Sequence, residues 1–222
     1  ITGGAGNDTF TTSTNLQLTD TIDGGDGTDT ILIGADIGTG GSSIFGSVSD
    51  IEVIKAAGGQ DVTADGSLGG AQIFNLTNTG DNALTLNAGW TGDTTVLLTG
   101  DADSVDSVAN NANVNLTVKG NANDVHSSTT LTGGSGTDIL EITADNDGAG
   151  GEEVANLDNV TKFEKVIVKD AVVAGTDVKI TPDATAATYS VTYDASELDG
   201  SATLDETLTF TGTSSALAAN VI

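Results

Sequence analysis

The chain has 222 residues, and 6 Lys and Arg stand against 32 Asp and Glu, a formal net charge of −26. Nucleic acid and anionic membrane are poor partners for such a surface. The absence of Cys and Met excludes disulfides, thiolate catalysis and sulfur-ligated metal centres.

Charged residues make up 17% of the chain and hydrophobic ones 37%. The acidity therefore comes from missing cations, not from a disorder-type composition, and a folded chain of one to two domains is expected. Aromatics are only 4%, so aliphatics must fill the core. That suits thin stacked sheets. The chain starts at Ile1, shows no basic leader before an apolar stretch and has no apolar run near membrane-spanning length. It reads as a mature or internal piece of something longer, with no transmembrane segment.

Short apolar runs bounded by Gly, Asn or Asp follow one another along the chain. They are Ile31 to Ile33, Ile51 to Ile54, Ile73 to Leu76, Leu84 to Leu86, Val96 to Leu98 and Val114 to Val118. The second half continues with Ile139 to Ile142, Phe163 to Val168, Val178 to Ile180, Tyr189 to Tyr193 and Leu204 to Phe210. Several alternate at period two, the pattern of half-buried strands. The fold expected is all-β, with short strands stacked as β-solenoid or β-roll-like layers or as a sandwich, Gly/Asp loops between them and little helix. Short helical turns are expected around Asp194 to Leu198, around Gly151 to Leu157, where Glu152 and Glu153 suit a helix N-terminus, and around Ala216 to Asn220.

The chain also repeats itself. Asp23 to Leu32 (DGGDGTDTIL) aligns with Thr132 to Leu140 (TGGSGTDIL), and the strand around Ile51-Glu52 with the one around Phe163-Glu164. This divides the chain into two related β halves, 1–126 with two glycine motifs and 127–222 with one. A third copy, Thr2 to Phe10 (TGGAGNDTF), opens the chain, and the last residues read as a strand leading into such a motif. The chain therefore looks like one link of a tandem array.

Gly-Gly-x-Gly-x-Asp-x-apolar bends tightly enough to aim carbonyl oxygens inward, and its Asp adds a carboxylate. An all-oxygen donor set suits a hard cation of calcium's size. On these residues the chain resembles the RTX, or hemolysin-type, calcium-binding repeat family. In that family nine-residue turns stack into a β-roll, and ions lie between neighbouring turns. The resemblance implies several Ca2+ ions, with half-sites at Gly4, Gly6 and Asp8, at Gly25, Gly27 and Asp29, and at Gly134, Gly136 and Asp138. The motifs here are widely spaced, so no two are expected to be adjacent turns and a long β-roll is not expected. Asp20 and Asp23, in an every-third-residue run with Asp26 and Asp29, are the candidate complementing ligands.

Further acidic groups have two readings each, an ion site or a solvated turn. One is Asp101, Asp103 and Asp106; a second is Asp145, Asp147, Glu152 and Glu153; a third is Asp194, Glu197, Asp199 and Asp205. His126 stands alone, without a Ser elbow or a second His, and reads as a surface residue. Trp90 either stacks on a sugar or caps a sheet. The lysines read as guards of sheet faces and edges. No nucleophile elbow, phosphate loop or zincin motif is present, so an enzyme is not expected.

The layout of motif followed by apolar strand also resembles large calcium-dependent bacterial surface-layer and surface-adhesin proteins. It implies an extracellular structural protein at a cell surface or in a biofilm matrix, polymerising with itself into a surface layer or matrix fibre as calcium orders its loops. The alternative is a stalk or binding repeat of a large secreted adhesin, stiffened by calcium. A cell-surface polysaccharide is a candidate further partner. Roughly five to eight calcium ions would cancel about 10 to 16 of the negative charges, so the acidity reads as a ligand supply.

Overall fold

The structure, a computed structural model, describes residues 1–12, 16–17, 19–37, 44–64, 72–99, 102–107, 114–143, 153–169, 178–181, 192–197, 208–210 and 220–221. Among these the chain is a stack of parallel strands. The first coils supply β1 (Thr2–Ala5), β2 (Thr9–Thr12), β3 (Ile22–Asp26), β4 (Thr30–Ile33), β5 (Val48–Ser49) and β6 (Val53–Ala56). There follow β7 (Asp61–Ala64), β8 (Gln72–Asn75), β9 (Ala83–Leu86), β10 (Thr94–Leu97), β11 (Ser104–Asp106), β12 (Leu116–Asn121), β13 (Thr130–Thr132) and β14 (Ile139–Thr143). The rest are β15 (Glu153–Asn156), β16 (Val160–Thr161), β17 (Lys165–Lys169), β18 (Val178–Thr181), β19 (Thr192–Glu197), β20 (Leu208–Phe210) and β21 (Asn220–Val221).

These strands build four parallel sheets. The backbone of the molecule is a ten-stranded sheet in the order β2-β4-β6-β8-β10-β12-β14-β17-β19-β21, each strand one coil further along. Facing it are β1-β3-β5, then β7-β9-β11-β13-β16, with β15-β18-β20 as a further sheet. Because consecutive coils lie in register, each inward position forms a column. Phe10, Ile31, Ile54, Phe74, Val96, Val118, Leu140 and Val166 are successive partners across the long sheet. Opposite runs the column Val62, Leu84, Val105, Leu131 and Val160. Every member but Phe10 is buried, and each such side chain contributes about 1.5–3 kcal/mol by leaving water. The fold is thus the β-solenoid form of the all-β expectation.

Two local expectations are corrected. Residues 153–156 and 192–197 are strands β15 and β19, not helical turns, because their backbone completes a parallel ladder with β18 and with β17. The turn expected at 216–219 lies outside the described residues, and 220–221 are strand. Among the described residues the helical turns are 3-10 segments at Ile44–Ser47 and Ala122–Asp124, and no helix is long and apolar enough to cross a membrane. Trp90 is fully buried, edge-on to Phe45 and tilted against Phe74, and its Nε1–H donates to Gly92 O and Thr94 Oγ1. It is a core residue and offers no face to a sugar.

Candidate metal site at the glycine corners

Each glycine motif sits where the chain leaves one sheet and enters the ten-stranded one. The first two motifs are adjacent coils, with Thr2 opposite Asp23, Gly4 opposite Gly25 and Ala5 opposite Asp26. This overturns the expectation that no two motifs are neighbours. Their 21-residue spacing, too long for a nine-residue turn, is one complete coil here: Thr9 pairs with Thr30.

Close approach explains the glycines. Gly25 and Gly27 hold φ of +93° and +146°, and a Cβ on either would overlap the carbonyl oxygen of Gly4 or Gly6 one coil below. Gly24 and Gly133 are crowded from the other side, by the carbonyls of Asp50 and Lys162 in the next coil. On each of these two glycines the motif's own carboxylate also rests, with Oδ2 of Asp29 and of Asp138 2.5 Å from where a Cβ would stand.

The acids stitch coil to coil. The Asp8 N–H donates to Asp29 Oδ1 at 2.7 Å, and the Asp29 N–H to Glu52 Oε2 at 2.8 Å. Further along, the Leu116 N–H donates to Asp138 Oδ1 at 2.9 Å, and the Asp138 N–H to Glu164 Oε2 at 2.8 Å. Between them runs a third ladder, from the Gln60 N–H to Asn82 Oδ1 and from the Asn82 N–H to Asp103 Oδ1. One residue earlier the direction reverses, since Asn7, Asp81 and Asn115 accept from the N–H groups of Thr28, Ala102 and Thr137. Asp29, Asp103 and Asp138 are fully buried, and a net gain of about 1.5–3 kcal/mol per bond to a charged group offsets part of their desolvation. Burial pushes the Asp138 carboxyl above its usual range and the charge of Glu164 adds to this, against the Leu116 and Gly134 N–H groups and Lys162, which pull it down.

The candidate ligands differ in what they have left to offer. Asp8 Oδ2 and Asp29 Oδ2 are buried without a hydrogen-bond partner, one coil apart. Asp138 has both oxygens engaged, Oδ1 by Leu116 and Oδ2 by the Gly134 N–H, while a Cβ on Gly136 would overlap Val114 O. Asp103 accepts Asn82 on Oδ1 and the Thr99 N–H on Oδ2. The run preceding the second motif does not converge: Asp20 is exposed and accepts the Gln17 N–H, Asp23 is half-buried within β3, and Asp26 is exposed with its carbonyl taken by the Gly6 N–H. Asp101, Asp145 and Asp147 lie outside the described residues. Among the described residues no three acidic or imidazole side chains gather as a metal cluster. An ion at the first two motifs would therefore rest on Asp8 and Asp29 with backbone carbonyls, a hard all-oxygen set that fits calcium in kind.

Gln60, Asn82, Asp81, Glu52 and Glu164 belong to the same stitching but lack a full motif. Their signal is recurrence: Gly58-Gly59-Gln60 and Gly80-Asp81-Asn82 stand one coil apart and repeat the corner in reduced form. His126 is half-buried, and its Nδ1 accepts the Ser128 N–H in a turn. No protein family, no curated protein and no solved structure matches this chain.

Proposed function

We propose that the chain is a non-catalytic, extracellular structural β-solenoid of a bacterial surface layer or biofilm matrix, self-assembling into filaments or sheets and ordered by calcium at its glycine corners. The observation that carries this reading is the pair of buried, unpartnered carboxylate oxygens on Asp8 and Asp29, stacked one coil apart at two glycine motifs. A divalent cation there would complete their coordination and neutralise charge in a chain of −26.

A second reading, the stalk of a large adhesin, is favoured by the unbroken ten-stranded stack, which suits a linear spacer. A cell-surface polysaccharide is the candidate anchor in either case. Calorimetric titration with CaCl2 of chelator-treated protein, followed by electron microscopy, tests the proposal. Calcium binding together with calcium-dependent filaments or sheets supports it. Binding with monomers in both conditions favours the stalk, and absence of binding overturns both.

A further inference from the structure

The two broad faces of the solenoid carry unlike surfaces. From β4 to β17 the outward side chains of the ten-stranded sheet are half-buried and include six aliphatic ones, Leu32, Val53, Ile73, Leu97, Ile139 and Ile167. Val53 and Ile73 stand side by side, and Leu32 and Leu97 lie one strand further out on either side. Among them stand Lys55, Lys119, Lys165 and Lys169, four of the six cations of the chain, against one acid in those strands, Glu141. The facing sheet is the reverse. Outward positions of β7, β9, β11, β13 and β16 hold mostly threonine or serine, with Asp61 and Asp106 as their charges and no aliphatic residue larger than Ala83.

The side chains of Lys119 and Lys169 keep 42% and 32% of their surface in water, so the aliphatic face is open to solvent. A band of aliphatic side chains left half in water marks a surface that gains by being covered. The lysines require an occupant with negative charge, and the acidic, hydroxyl-lined face of a second copy supplies it. Both faces repeat once per coil, at about 4.8 Å, so the two are commensurate. We infer that the outer face of the ten-stranded sheet stacks back to front on the five-stranded face of a second copy of this chain, its lysines toward that copy's Asp61 and Asp106. The contact is heterologous and leaves the opposite face of each copy free to repeat it, so it builds layers. Seven strands, four residues deep, make a strip of about 29 by 13 Å. That is about half of what each partner gives in a stable pair, so the contact acts in assemblies, where every copy repeats it. It rests on the self-assembly reading above and names the surface that widens a filament into a sheet.

The chain has no cysteine, so single thiols report position. Leu97→Cys and Thr85→Cys proteins, one substituted on each face, are assembled together with calcium and treated with a bismaleimide spanning about 10 Å, the usual distance between stacked sheets. A mixed dimer, exceeding either homodimer at least fivefold, is the expected product. Leu97→Cys homodimers alone mean that the long sheets pack on each other and overturn the inference, as does the absence of cross-linking while assemblies form. Charge reversal probes the same pairing. Lys55→Glu/Lys165→Glu protein should yield at least tenfold less layered material in electron microscopy with its melting temperature unchanged, and Asp61→Lys/Asp106→Lys added in the same chain should recover at least half of it. Layers indifferent to the reversal overturn the inference. Filaments without layers in the unmodified chain overturn stacking and leave self-assembly standing, whereas monomers overturn both. Binding of soluble polyuronate that is lost in Lys55→Glu/Lys165→Glu protein, without layers, gives the face to a polysaccharide and overturns stacking.

Discussion

Among the described residues Asp50 and Lys162 are the non-glycine residues with positive φ, at 50° and 59°, and each places its carbonyl against the first glycine of a motif in the preceding coil, Gly24 or Gly133. The left-handed conformation costs a residue with a Cβ roughly 1–2 kcal/mol. Lys162→Gly should therefore raise stability by about 1 kcal/mol in urea titrations, and Asp50→Gly by somewhat less, since Asp tolerates this region better. The reverse change is punished: Gly24→Ala or Gly133→Ala forces a Cβ into a backbone carbonyl and should cost about 1–3 kcal/mol, as overpacking does. Asp138 adds a pH signature. Its folded carboxyl titrates above the usual range because of burial first and Glu164 later, so the folded state holds its proton more tightly than the unfolded chain. That contribution favours folding at acid pH and is lost as pH rises from about 3.9 through the raised value. In Asp138→Asn protein this downward slope should vanish, while NMR titration of the unmodified chain should show one aspartate protonating early.

At the scale of the strand, Lys119, Glu141 and Lys169 form a charged rung across β12, β14 and β17, with Nζ to Oε1 distances of 3.1 and 3.2 Å. Burial raises the Glu141 carboxyl most, yet the two lysine hydrogen bonds and charges together bring it below the usual range. A depressed folded pKa stabilises above the unfolded value and is lost as pH falls through the folded one, so the rung should fail only below about pH 4.3. Glu141→Gln should flatten that acid limb of the stability curve and leave neutral stability changed by less than about 1 kcal/mol, since the lysines are partly exposed. The strands themselves were legible, because β-branched residues at period two leave little choice: Thr30–Ile33, Ala83–Leu86 and Ile139–Thr143 fall where alternation puts them. Acids at Glu152, Glu153, Asp194 and Glu197 resemble a helix start, but ladder pairing outweighs that weak local preference. The coil length was hidden because a corner needs only one side-chain oxygen to reach the next coil. Asn82 and Asp103 serve as well as the Asp of a full motif, and the repeat is diluted.

For the whole molecule, the charge of −26 is spread over a stack held by aliphatic columns. If calcium binds with a Kd of about 10⁻⁴ M, 10 mM calcium should add about 2.7 kcal/mol for one site, read as a rise in melting temperature that chelator reverses. Asp8→Asn/Asp29→Asn protein should lose most of that rise and keep its fold without calcium. The register has a mechanical meaning as well. Among the described residues each strand of the long sheet pairs only with those of the neighbouring coils, so under tension between the ends of the stack the coils peel one after another. From Thr95 to Thr117 the repeat is 22 residues, and at about 3.3–3.6 Å per extended residue each peeled coil should release about 75 Å of slack. A pulled molecule should therefore yield in a regular sawtooth, each released coil dropping the load before the next gives way, as a shock absorber does.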